Sequence, residues 1–198
     1  MQTLIKNYFT ESIQTQIVMT EALSKPIEEA ANMVIKTLLN GNKILSCGNS
    51  IAVANVQNFN AQLLNGIDIE RPSIPAIALV ADNILVSTIA NHNLQLNEIY
   101  AKQIQALANE GDILLVLSSN GADKTILRAV QEAVIKDLNI IAITGCDGGA
   151  LVGFLGQNDI EIRIPSYKER TINEMQLMVL NCLCQLIENT LFLHKEAD

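Results

Sequence analysis

The chain is poor in the residues that bind metals, cross-link or grip nucleic acid. Its 198 residues include two histidines, four cysteines and only 17% charged residues. Cys47, Cys146, Cys182 and Cys184 are too few and too scattered for a disulfide framework in a chain of this length. Cys182 and Cys184 stand two apart in a helical pattern, where such neighbours do not share a face. With the histidines far away in sequence, this argues against zinc, and buried reduced thiols are the expectation. No metal and no cofactor are expected. Lys plus Arg number 13 against 21 Asp plus Glu, a formal net charge of −8. A domain that grips phosphate backbones carries a basic face, so direct nucleic-acid binding is not expected. Apolar runs such as 113–117 fall far short of the roughly 18 residues of a membrane span. The first ten residues lack the apolar core of a signal peptide, and a cytoplasmic location is expected. Low charge combined with 49% apolar residues and a mean hydropathy of +0.25 excludes a disordered chain. It also leaves much apolar surface for so small a protein, which burial between subunits would cover.

What is present alternates. The first 40 residues read as two helices. Ile5, Phe9, Ile13 and Ile17 form a stripe on one face of the first. Ser24 and Pro26 look like the start of the second, which Gly41 stops. Beyond them, strands are expected at 43–47, 76–80, 113–117, 140–144 and 160–164. Helices are expected at 49–64, 83–90, 96–109, 122–136 and 168–192. Strands apolar on both faces alternating with helices predict an α/β fold: a doubly wound, five-stranded parallel sheet in a flavodoxin-like three-layer sandwich. The chain reads as one domain, with residues 1–40 as a helical extension and 41–192 as the sandwich. Ile172, Met175, Leu177, Met178, Val179, Leu180, Cys182, Leu183, Leu186, Ile187 and Leu191 surround the last helix, which should be buried on all sides. An oligomer would bury it; the alternative is that the first helices cover its second face.

In such folds ligands sit beyond the carboxyl ends of the strands. The loops at 47–50, 118–124 and 144–149 therefore matter most. Cys47-Gly48-Asn49-Ser50 opens a helix, where exposed N–H groups attract anions. Ser118-Ser119-Asn120-Gly121 suits a phosphate equally well as it suits a helix N-cap. Thr144-Gly145-Cys146-Asp147-Gly148-Gly149 repeats the theme or is only a flexible turn.

Gly48-Asn49, the run Arg71-Pro72-Ser73-Ile74-Pro75-Ala76-Ile77-Ala78-Leu79, Glu110-Gly111-Asp112, Thr144-Gly145, Asp147-Gly148-Gly149 and Glu161-Ile162-Arg163-Ile164-Pro165 resemble the SIS (sugar isomerase) domain family. They look like its sedoheptulose 7-phosphate isomerase (phosphoheptose isomerase) branch, over essentially the whole chain. The resemblance implies a five-stranded SIS sandwich, a homotetramer and a phosphosugar pocket between subunits. It assigns Asn49, Ser50, Ser118, Ser119, Asn120 and Asp123 to that pocket.

Ketose–aldose isomerisation needs a base for a C–H proton and an acid at the oxygen. The branch implies a Glu and three His for this work, but their positions hold Gln62, Asn58, Gln176 and Asn181. An amide takes no proton at neutral pH. A hydroxyl of the phosphate loop is replaced by Asp123, and Ser50, Ile51 and Ala52 replace a Gly-Gly-Ser run. A carboxylate about 4 Å from a phosphate costs roughly 4 kcal/mol at an effective dielectric of about 20, or about three decades in affinity. Lys124 would offset part of this, leaving weak phosphosugar binding open. His92 reads as a solvated loop residue rather than a substitute base. Glu70, Asp82 and Glu98 have no better claim, and Glu174 suits a cap or a subunit contact.

Residues 9–17, 39–45 and 181–192, ending in the pair Leu191-Phe192, resemble another branch more closely: the DnaA initiator-associating adaptors. That resemblance implies a non-catalytic homotetramer that binds DnaA and promotes initiation of replication, with Leu191 at the subunit interface and Phe192 on DnaA. Without it, Phe192 would read as a plug against the first helix. Two alternatives stay open: a phosphoheptose isomerase with a rearranged site, and a module that binds a phosphosugar without turning it over.

Overall fold

The computed structural model describes residues 1–66, 69–81, 83–91 and 96–193. Helix α1 (Gln2–Leu39) leads into β1 (Ile44–Gly48), α2 (Ala52–Asn65), β2 (Ala76–Ala78) and α3 (Asn83–Asn91). A short 3₁₀ turn (Leu96–Glu98) precedes α4 (Ile99–Leu107), β3 (Ile113–Leu117), α5 (Lys124–Ile135) and β4 (Asn139–Thr144). A second 3₁₀ segment (Gly149–Phe154), β5 (Ile160–Arg163) and α6 (Glu169–Leu191) complete the chain. The five strands are all parallel, in the order β2-β1-β3-β4-β5, as the alternation of periods predicts.

Strand pleating sorts the core into two layers. Ile113, Leu115 and Leu117 of β3 face one layer with Ile141 and Ile143, beneath α1, α2 and α6. Leu114 and Val116 face the other with Ile140 and Ala142, beneath α4 and α5. All five β3 residues are buried, which explains why that strand reads as an unbroken apolar run.

The N-terminal segment is one helix, not two. Pro26 lies inside α1, and the Ser24 hydroxyl bonds back to the Thr20 carbonyl instead of capping a new start. A proline costs its helix one N–H donor, but Ala30, Ala31 and Val34 pack into the core one turn later and carry the helix across. The stripe at Ile5, Phe9, Ile13 and Ile17 exists, yet it is more than half exposed at every position. The opposite face, with Ser12, Met19 and Leu23, is the buried one. Helix α6 is covered within its own chain by α1, α2 and the sheet. An exposed apolar stripe therefore sits on α1, while α6 is not buried on all sides as expected: Met178 is 41% exposed, and Asn181, Gln185 and Asn189 on the same face are exposed.

Two loops are locked by close backbone approach. Gly121 holds a φ of +62°, and a Cβ there would stand 1.8 Å from the Gly148 carbonyl oxygen. A Cβ on Gly149 would meet the Asn120 carbonyl oxygen at 2.2 Å. The segment 144–149 is thus pressed onto 118–121 rather than being a flexible turn.

Asp112 ties the beginnings of β1 and β3 together. Its buried carboxylate accepts from the backbone N–H groups of Asn109 (2.8 Å) and Lys43 (3.0 Å), and from Lys43 Nζ at 2.6 Å. Burial pushes its pKa up, but the bonds from Lys43, Asn109 and Asn42 outweigh this and hold it below the usual carboxylate value. A depressed folded pKa gives stability that is present above the unfolded value and lost as pH falls through the folded one. Asp112→Asn should therefore cost about 3 kcal/mol at neutral pH and flatten the acid limb of a urea-unfolding series; an unchanged acid limb would show that Asp112 contributes nothing there.

Candidate functional site

At the carboxyl ends of the strands, a hollow of about 260 Å³ is lined by Asn49, Ser119, Asn120, Cys146, Tyr167, Glu169 and Ile172. The loops after β1, β3 and β4 thus bring Asn49, Ser119 and Asn120 together as expected. The loop after β5 adds Tyr167 and Glu169, which the sequence reasoning missed. The rule that ligands meet the ends of parallel strands applies to β5 as well and could have found them. Among the described residues no lysine or arginine lines the hollow, and Glu169 brings a carboxylate to it.

The helix starts around this hollow are already satisfied. Ser118 is buried, and its Oγ accepts from Gly121 N–H at 3.0 Å. Asn120 Oδ1 accepts from Ala122 N–H at 3.0 Å. Asp123 does not line the hollow. It is the N-cap of α5, where Oδ1 accepts from Thr125 N–H (2.9 Å) and Ile126 N–H (3.1 Å). Its carboxylate takes the donors that an anion at this helix start would need. Ser50 is exposed, with a φ of +52°, and does not line the hollow either. The first N–H groups of α2 turn back onto the carbonyls of Asn49 and Ser50. Behind the loops, burial pushes the Cys47 thiol up, with the Asp123 charge adding to it, so Cys47 is no nucleophile. Burial also pushes the Tyr100 phenol to about 12, and its hydroxyl donates to the Gly48 carbonyl at 2.6 Å.

A second hollow, of about 460 Å³, lies where α2 meets α6 and includes Gln62, Asn181, Cys182, Cys184 and Glu188. Gln62 Nε2 donates to Asn58 Oδ1 at 2.5 Å and to Asn181 Oδ1 at 2.7 Å. Three of the four positions singled out in the sequence are thus one amide cluster. Gln176 is not part of it: it is fully buried, its Nε2 donates to the Ile143 carbonyl at 2.9 Å, and its Oε1 has no partner. Carboxamides donate and accept hydrogen bonds but do not exchange protons near neutrality. Burial pushes the Cys184 thiol to about 12, with Glu188 adding and Arg71 opposing, and burial raises Cys182 as well. Among the described residues no three His, Cys, Asp or Glu side chains gather as a metal site.

The far end of α6 is tied down by Arg71, whose guanidinium pairs with Glu188 at 2.7 Å. Phe192 lies half-buried with its ring centroid 5.4 Å from the Arg71 guanidinium carbon, and Leu191 is half-buried beside it. Glu174 joins α6 to α1 by accepting from Ser12 Oγ (2.8 Å) and the Tyr8 hydroxyl (3.2 Å). Glu98 pairs with Arg128 at 2.6 Å, Glu70 is exposed, and Asp82 and His92 lie outside the described residues.

A model of the SIS domain matches residues 7–145. A DnaA initiator-associating protein DiaA from Erwinia tasmaniensis is 55% identical over 193 residues, covering 98% of each chain. Its counterpart from Escherichia coli O1:K1 is 52% identical over 197 residues, covering all of both chains. Among solved structures, a phosphoheptose isomerase from Francisella tularensis superposes with a TM-score of 0.88 at 39% identity, covering 95% of this chain and 98% of that one. The phosphoheptose isomerase GmhA from Neisseria gonorrhoeae reaches the same TM-score at 29% identity, with the same coverage.

Replacing the α5 cap tests whether Asp123 is structural. Asp123→Ala should lower stability by about 1 kcal/mol in urea unfolding. An unchanged midpoint would mean that the cap bonds carry no weight.

Proposed function

The chain belongs to the SIS-domain family, and from that we propose that it is a non-catalytic, DiaA-like adaptor that binds the initiator DnaA and promotes initiation of chromosomal replication. The observation that carries this is the amide cluster Asn58–Gln62–Asn181; its uncharged groups stand at positions where the resemblance to the isomerases implies proton transfer. Full-length identity above half to proteins named for their association with DnaA supports the partner. In this reading the chain is one SIS domain, cytoplasmic, and assembled as a homotetramer with Leu191 at a subunit contact. The exposed apolar face of α1, with Ile5, Phe9, Ile13 and Ile17, supports assembly, because a surface of that kind is normally covered. Four equal copies of a weak DnaA site gain affinity by being linked. The net charge of −8 fits a protein that reaches origin DNA through a DNA-binding partner rather than directly. Phe192 is assigned to the DnaA contact: it is half-exposed, aromatic and at the open end of α6.

A second reading, as a phosphoheptose isomerase or a phosphosugar-binding module, draws on the TM-score of 0.88 to the two isomerase structures. The hollow at Asn49, Ser119 and Asn120 would serve it as a weak ligand site. The lack of a cationic lining residue and the occupied helix starts favour the adaptor.

Titration of the labelled chain with DnaA should give saturable binding. Phe192→Ala should weaken it about tenfold or more without altering the assembly. Absence of binding by the unaltered chain would end this reading, and full binding by Phe192→Ala would remove Phe192 from the contact.

A further inference from the structure

Arg71 lies in the segment between α2 and β2, yet its side chain is only 1% exposed. An arginine is buried only where its donors are met, and here all three nitrogens are engaged. Nε donates to Glu188 Oε1 at 2.8 Å. Nη1 donates to the carbonyls of Leu63 (2.8 Å) and Pro72 (3.0 Å), and Nη2 donates to the Gln62 carbonyl at 2.8 Å. The Gln62 and Leu63 carbonyls belong to the last turn of α2 and each accepts a second bond there, Gln62 from Gly66 N–H at 2.7 Å and Leu63 from Ile74 N–H at 3.0 Å. The guanidinium carbon of the same cation lies over the Phe192 ring, 5.4 Å from its centroid. Phe192 is the C-cap of α6, and its N–H bonds to the Glu188 carbonyl at 3.0 Å. Glu188 and Phe192 are four residues apart and share one helix face. Arg71 is therefore hydrogen-bonded by the first and in cation–π range of the second.

A terminal aromatic would otherwise have a fraying helix end beneath it. Here the ring lies beside a cation that is itself fixed by four hydrogen-bond acceptors on two helices and a loop. We propose that Arg71 is a positioning residue that presents Phe192 to the protein partner, as a seat for the ring rather than as a contact. This rests on the assignment of Phe192 to the DnaA contact. Lysine cannot replace it, because an ammonium has neither the fork that spans these acceptors nor a face for the ring.

The test is titration of DnaA against Arg71→Lys and against the paired variant Arg71→Gln/Glu188→Gln, which strands no buried carboxylate should Arg71→Lys fold poorly. Each folded variant should bind about tenfold more weakly, with its oligomeric state unchanged. In a Phe192→Leu background, which lacks the ring, the same changes should cost markedly less. If the unaltered chain binds DnaA and Phe192→Ala loses binding, while the Arg71 variants bind like the unaltered chain, the positioning role is overturned. An equal loss with and without the ring overturns it too, since Arg71 would then act elsewhere. Failure of the unaltered chain to bind, or full binding by Phe192→Ala, falls instead on the functional assignment beneath it.

Discussion

A helix apolar over most of its circumference must be covered over most of it, and α6 imposes that condition on the rest of the chain, leaving only the face with Met178, Asn181, Gln185 and Asn189 exposed. Ile172, Met175, Val179, Leu180, Leu183 and Ile187 are fully buried, each contributing about 1.5–3 kcal/mol by leaving water. The sheet supplies one cover, α2 a second and α1 a third. Polar pairs set the register of these covers. Glu174 holds Ser12 and Tyr8 of α1, Asn181 holds Gln62 of α2, and Glu188 holds Arg71 beyond α2. Using the inner face of α1 to cover α6 turns its outer apolar stripe to solvent. The packing of one chain thus creates the surface through which copies would assemble.

The same arrangement decides what the old site can do. The position where α2 meets α6 holds amides that bond to one another and so join the two helices. At the strand ends, hydroxyl, amide and carboxylate groups are spent on their own loop and helix starts. Asp123 illustrates the shift: its carboxylate occupies a helix N-terminus, where negative charge is favoured, and in doing so it removes the donors an anion would use. On the proposed reading, function lies at the end of α6 rather than in the pocket.

Much of the sandwich was legible in the sequence because the switch from a period of 3.6 to apolar runs is strong. β3 was read to the residue, and the alternation of strands and helices pointed to the all-parallel sheet. Tertiary packing overrode local signals elsewhere. Ser24 and Pro26 carry every mark of a helix start, but Ala30, Ala31 and Val34 anchor the next turn and α1 runs through. The stripe from Ile5 to Ile17 fixes a helix but cannot say which of its faces meets the core. At the candidate site, spacing put Asn58 and Gln62 on one face and the resemblance added Asn181; all three meet. Gln176 shares their chemistry but points to the Ile143 carbonyl, a direction set by where α6 rests on β4. The N-cap reading is open in the sequence for residues 118–121, but the resemblance assigns Asp123 to the pocket, and only the geometry shows that it is Asp123 that caps α5.

The most direct measurement is turnover of sedoheptulose 7-phosphate, with and without added zinc, by a preparation shown in parallel to bind DnaA. An adaptor whose catalytic positions hold amides should give no product above the rate without protein. Conversion that scales with protein concentration would contradict a non-catalytic site and return the chain to the isomerases it resembles in shape.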